Sequence, residues 1–375
     1  MTLSPNLCRT KMCQGGQMQD SSLRPILTSA QIVVCVGSGG VGKTTAASAL
    51  AFQAAKLGRR VLVLTIDPSR RLRSTMGLGD EDIAQIKNEK ITGELWASIV
   101  DPKKTFDEFV LRAAKYSKGA ERLLSNPLYI QLSTNLSGSQ EFTALERLYS
   151  AYESQKYDLI VLDTPPTKHA IDFLEAPQKL SAIFSDSVAK WFREPEGQGL
   201  VLRLMKSGTK QVLKSLELLT GSEFMRELSD FFQNIEGWQK KLESRIADVH
   251  GLLVSPHTHF ILVSSLDEAK IAEAQYFARE IKKGGYQLSA LIVNRIHPAW
   301  IVNSQTDGTR SDLEQKLIDY YAEREQMALG VEPSIPTVVK IPELRENISD
   351  IGGVIEMARY LFEESPSKSS KAEKL

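Results

Sequence analysis

Three cysteines in 375 residues, Cys8, Cys13 and Cys35, are too few for a disulfide framework. Their odd number, with no apolar secretory segment at the N-terminus, points to a reduced, cytoplasmic setting. Cys8 and Cys13 lie in a polar Gly/Gln/Ser-rich stretch with no second Cys/His pair nearby to complete a tetrahedral zinc site. Cys35 sits inside an apolar strand and reads as core, and no cysteine follows it. An excess of one charge is also missing. The 46 Lys and Arg balance 46 Asp and Glu, which argues against a nucleic-acid partner. No apolar run approaches the roughly 20 residues that a membrane-spanning helix needs, so no integral membrane segment is expected. With 24 glycines and 15 prolines, the chain is neither collagen-like nor broadly disordered. What is left is an ordinary globular composition, 42% hydrophobic and 25% charged, long enough for one large α/β domain or two smaller ones.

Within it, two periods alternate. Short β-rich runs fall at 31–36 (QIVVCV), 60–66 (RVLVLTI), 95–100, 157–162 (YDLIVL), 259–264 (HFILVS), 290–293 and 337–341. Helical patterns separate them over 44–57, 104–118, 141–155, 267–283 and 312–328. Strands alternating with helices predict an α/β fold, a mostly parallel sheet flanked by helices with right-handed crossovers. Residues 1–30 have no apolar period and read as a flexible tail, and 364–375 as a polar one, around a domain over 31–363.

Residues 178–255 break the alternation. Leu228, Phe231, Phe232, Ile235, Trp238, Leu242, Ile246, Val249 and Leu253 recur at helical spacing. This predicts a helical insertion. Its apolar stripe serves either as core or as a client groove. Only Met205 and Met225 lie in it, unlike the Met-rich surface of a promiscuous binder. His250, His257 and His259 have no acid or cysteine beside them and read as solvated loop residues.

The strongest local signal is Gly37-Ser38-Gly39-Gly40-Val41-Gly42-Lys43-Thr44-Thr45, which fits G-x-x-x-x-G-K-[ST] between an apolar strand and an Ala-rich helix. The glycines let backbone N–H groups turn inward around phosphates, and the helix N-terminus adds partial positive charge there. Lys43 can reach the β- and γ-phosphates, and the Thr44 hydroxyl can ligate Mg²⁺. Asp67 closes RVLVLTID and Asp163 closes YDLIVLD, where acids beyond strand ends meet a ligand. Asp163 has the context of an acid that holds Mg²⁺, and Asp67 of one that activates the attacking water. Alone, each acid serves equally as a helix cap or turn residue; beside a phosphate loop, the catalytic reading prevails.

These segments resemble the ArsA-type ATPases, a family that contains the arsenical-pump ATPases and the ATPase that targets tail-anchored membrane proteins. The family's loop reads GKGGVGKTT where this chain has GSGGVGKTT. Its first switch reads TDPAH, against Ile66-Asp67-Pro68-Ser69-Arg70, and its second DTAPTGHTLRFL, against DTPPTKHAIDFL at 163–174. The resemblance covers roughly residues 31–362 and implies a deviant Walker A phosphate-loop fold, ATP and Mg²⁺ as ligands, and a nucleotide-gated homodimer. By position it gives Lys43 and Thr44 to phosphate and Mg²⁺, Asp67 to the water and Asp163 to the metal sphere. It also gives Asn294 to the adenine edge and, more weakly, Pro342 to a loop packed on the base. Without the resemblance, Asn294 serves equally as a strand-end turn residue.

Three departures stand out. Ser38 replaces the signature lysine, the C-x-x-C pair that holds zinc between subunits is absent, and no cysteines remain for an arsenite site. Arg70 and Arg71 follow the first switch, either as surface charges or as a substitute for the missing lysine. The expected function is a Mg²⁺-dependent ATPase whose conformational cycle drives a protein client or membrane partner. The alternatives are a metabolic phosphoryl-transfer enzyme of the same fold and a nucleotide-gated binding module with little turnover.

Overall fold

The computed structural model describes residues 23–66, 83–113, 124–126, 129–130, 139–164, 239–296, 312–331, 334–344, 348 and 350–362. Their strands are β1 (Ile32–Gly37), β2 (Arg60–Thr65), β3 (Ile83–Ile86), β4 (Glu94–Ile99), β5 (Leu159–Asp163), β6 (Thr258–Ser265), β7 (Leu288–Ile296) and β8 (Thr337–Pro342). The helices are α1 (Arg24–Ser29), α2 (Lys43–Lys56), α3 (Pro102–Ala113), α4 (Ser139–Glu153), α5 (Gln239–Leu253), α6 (Glu268–Lys283), α7 (Asp312–Leu329) and α8 (Ile351–Phe362). The strands form one sheet in the order β3-β4-β2-β5-β1-β6-β7-β8. Every pairing is parallel except that of β3 with β4.

β1 lies near the middle, paired with β5 on one side and β6 on the other, and all six of its residues are buried. That is why its run has no polar alternation: both faces are covered. Ile32, Val34 and Val36 point to one layer with Leu145 and Leu148 of α4, Val249 of α5 and Phe277 of α6. Val33 and Cys35 point to the other, with Leu27 of α1, Leu50 and Phe52 of α2, and Val354 and Leu361 of α8. The alanines of α2 are buried and short, which lets the helix that follows the phosphate loop lie close to the sheet.

The predicted α/β architecture is therefore present, with three additions. Residues 24–29, expected to be tail, form α1, which buries Leu27 between buried Leu23 and Ala30. The Arg59 guanidinium donates to the carbonyls of Leu27, Ala30 and Asp158, and so fastens this helix to the strand ends. β3 is four residues long, too short to show a period, and α8 begins with Ile351-Gly352-Gly353, whose glycines weaken a helical signal. Of the expected insertion, residues 239–255 are described. There Val249 and Leu253 belong to the core, so this end of the stripe is packing surface; residues 178–238 lie outside the described residues. His259, expected in a loop, is in β6, with Nδ1 2.8 Å from the Ser289 hydroxyl. Burial, then the nearby His257, lowers its pKa.

α3, α4 and α5 are tied by one carboxylate. Glu146 of α4 is fully buried and accepts from Arg245 of α5 at 2.8 and 3.1 Å, from Arg112 of α3 at 3.0 Å and from Ser150 at 3.0 Å. Arg245 also pairs with Glu153 at 2.7 Å and lies over the Tyr149 ring at 4.2 Å. Removing the buried carboxylate leaves largely buried Arg245 without its main partner. We expect Glu146→Ala to lower unfolding free energy in urea by about 3 kcal/mol. Glu153→Ala, at a site 51% exposed, should cost under about 1 kcal/mol.

Candidate functional site

The carboxyl ends of β1, β5, β2 and β7 carry the residues singled out by the motifs. β1 ends at Gly37, where a Cβ would stand 2.2 Å from the Val263 carbonyl oxygen of β6. Only glycine lets the chain leave the sheet there. Gly39 and Gly40 make an exposed turn, Ser38 and Val41 are buried, and α2 begins at Lys43. Gly42, with φ of 94°, is the N-cap residue of α2 and brings no capping side chain. The first-turn N–H groups of such a helix need an acceptor, and a phosphate suits them.

Lys43 is buried, and its ammonium donates to the Ser38 carbonyl at 2.8 Å. The loop's own backbone thus holds the charge inside the curve of the loop. Thr44 and Thr45, half-buried, follow in the first turn. The Thr44 hydroxyl donates to Asp163 Oδ2 at 2.7 Å, and Thr65 donates to the same oxygen at 2.9 Å. Asp163 is fully buried. Its place follows from register, because it lies opposite Cys35 of β1 and opposite Thr65 of β2. Thr164 locks that register by donating its hydroxyl to the Cys35 carbonyl at 2.8 Å.

A threonine that donates its hydroxyl hydrogen keeps its oxygen lone pairs for a second partner. The Thr44 hydroxyl beside the Asp163 carboxylate is an all-oxygen donor set, which fits Mg²⁺ and not a soft metal. Cys35, one residue from the loop's edge in β1, has its pKa pushed up by burial, then by the Asp163 charge, against a lowering by Lys43. That environment favours the neutral thiol over the thiolate.

On the other side of the loop, Asn294 in β7 donates from Nδ2 to the Val41 carbonyl at 2.9 Å. Pro342, at the end of β8, is buried opposite Ile296 of β7. The structure thus brings Gly37 to Thr45, Asp163 and Asn294 together. Asp67, Arg70 and Arg71 lie outside the described residues, although Thr65 places the end of β2 directly beside Asp163. Thr65 and Thr164 were missed in the sequence. The only signals were a lone hydroxyl at the end of each apolar run, two residues before Asp67 and one after Asp163.

The profile of the anion-transporting ATPases, the ArsA type, matches residues 30–348. The chain belongs to this family. Similar proteins are an Aquifex aeolicus protein that carries an arsenical pump-driving ATPase name, 23% identical over 346 residues, and ATPase GET3 of Malassezia globosa, 24% identical over 354 residues. The first alignment covers 90% of this chain and 80% of the relative, the second 92% and 95%. ATPase ASNA1 homolog 1 of Paramecium tetraurelia is 25% identical over 264 residues, 69% of this chain and 73% of that protein. The chain is an ATP hydrolase of the ArsA type, and no helix among its described residues is long and apolar enough to cross a membrane.

The contact at Gly37 is with backbone and cannot be relieved by a rotamer change. Gly37→Ala should lower unfolding free energy by about 3 kcal/mol or more. Gly40→Ala, with φ of 80° but open space around the added methyl, should cost about 1 kcal/mol. Urea titration of both variants measures the difference.

Proposed function

We propose that this ArsA-type ATPase binds Mg²⁺–ATP at the loop over Gly37–Thr45 and uses binding and hydrolysis to drive a switch that targets or transports a protein client or membrane partner. In this reading it works in the cytoplasm as a homodimer. The observation that supports it most is the cluster of Thr44, Thr65 and Asp163, in which three elements converge on one buried carboxylate beside a buried lysine. The GET3, ASNA1 and arsenical-pump names of the relatives supply the client-handling part of the reading.

The roles follow from charge. Lys43 exchanges the Ser38 carbonyl for the β- and γ-phosphate oxygens, and the first N–H groups of α2 donate to the remaining phosphate oxygens. Thr44 and Asp163 would hold Mg²⁺, which when bound would offset negative charge on the phosphates. Asp67, just past β2, orients the attacking water and accepts its proton. Asn294 addresses the adenine edge, and Pro342 shapes the loop against the base. The chain continues from Asp67 and from Asp163 into the two switch segments, so loss of the γ-phosphate is felt at both.

One feature favours the nucleotide-gated module with slow turnover as a second reading. Ser38 stands where the family's signature lysine would be, and it is only 2% exposed. Position 38 then adds no charge across a subunit interface.

Lys43→Ala should abolish ATP binding in calorimetry, whereas Asp67→Asn should keep ATP affinity and lose hydrolysis. Equal loss of binding in both would refute these roles. The mass of Asp67→Asn should double on adding ATP, and a membrane-fraction pull-down should recover a partner only from the ATP-bound form. A mass unchanged by ATP would sink the gated homodimer. Thr65→Val should raise the Mg²⁺ concentration for half-maximal hydrolysis severalfold, and Thr65→Ser should restore it.

A further inference from the structure

Asn294 is 8% exposed and 253 residues from the carbonyl that it contacts. Both ends of its amide have partners in the chain. Nδ2 donates to the Val41 carbonyl, and Oδ1 accepts from the Arg295 N–H at 3.0 Å. The opposite amide orientation would set oxygen against oxygen at Val41 and N–H against N–H at Arg295, so the surroundings fix which atom is which. The backbone is bent to allow this. Arg295 is a non-glycine residue with φ of 54°, and the pairing of β7 with β8 slips between Asn294 and Ile296. The left-handed residue turns its N–H back toward the side chain before it, a conformation that non-glycine residues rarely adopt.

The amide also sits against Gly42. A Cβ on Gly42 would lie 2.4 Å from Nδ2. Asn294 thus bonds to Val41 and packs on Gly42, the last two residues before α2. Those residues set the direction of the first N–H groups of α2 and of Lys43. The contact is complete without any base. An amide has two hydrogens and its oxygen two lone pairs, so one donor and one acceptor position remain after these two bonds. Holding the loop and addressing adenine are compatible tasks for one side chain.

We infer that Asn294 is a positioning residue of the phosphate loop: its amide anchors the Val41–Gly42 segment and so shapes the phosphate site whatever base is attached. The inference rests on the loop being the nucleotide site, and it extends the adenine role assigned above. It separates the two by a ligand with no base. Binding of Mg²⁺–tripolyphosphate and of Mg²⁺–ATP is measured by calorimetry for the parent and Asn294→Ala, with Asn294→Ser as the milder variant should the first fail to fold. The tripolyphosphate dissociation constant should rise about tenfold, the worth of one buried hydrogen bond. Weakened ATP binding with unchanged tripolyphosphate binding would overturn the inference and leave a pure base reader. Unchanged binding of both would also overturn it, with the residue then filling space alone. A parent protein that binds neither ligand would refute the nucleotide site itself.

Hydrogen exchange of the ligand-free protein gives a second reading. Amides over 38–44 should exchange about tenfold faster in the variant while those of β5 keep the parent rate. Equal rates over 38–44 would overturn the inference, and a matching rise in β5 would reduce the residue to general stability.

Discussion

The hydrogen bond from Thr44 to Asp163 joins points 119 residues apart, and the site is arranged around it. It exists because β5 is wedged between β1 and β2 in a register that sets Asp163 beside Cys35 and Thr65. A slip of one residue would turn Asp163 to the opposite face of the sheet and break both hydroxyl contacts. Thr164 guards against that slip by bonding to the Cys35 carbonyl. The geometry of this cluster is thus a consequence of strand register, with the loop added at the end of β1.

Burying a lysine and an aspartate near one loop is costly unless polar partners meet their charge. Lys43 takes the Ser38 carbonyl and Asp163 takes two hydroxyls. The low dielectric that makes bare charges expensive also makes them effective toward a polyanion. Glycine at 37 and 42 serves the same end, since both allow approaches that a Cβ would block: backbone of β6 in one case, the Asn294 amide in the other.

On the opposite face of the sheet, Glu146 joins α3, α4 and α5. α4 leads into β5 and so to Asp163, while α5 is the described end of the region that interrupts the strand–helix alternation. The phosphate loop and this helical side share the sheet as their common support. β1, near the middle of the sheet, presents only apolar side chains to the two layers.

The strand–loop–helix over residues 31–57, most other strand positions and the parallel class were legible in the sequence, because burial on both faces leaves continuous apolar runs and a phosphate loop requires a fixed local spacing. The acid at the end of the 157–162 run was legible for the same reason. Helix α1 was hidden because six residues show too little period, and its anchoring by Arg59 is a long-range event. Only the tertiary structure decided that Thr65 and Thr44 share one carboxylate oxygen, that Asn294 touches Val41 and Gly42, and that the end of the apolar stripe at Val249 and Leu253 is core. Local order along a chain follows from periodicity and backbone preference, whereas these contacts depend on which distant strand lies next to which, and strand neighbours in a parallel sheet are set by crossovers that leave no mark in the spacing of the residues they join.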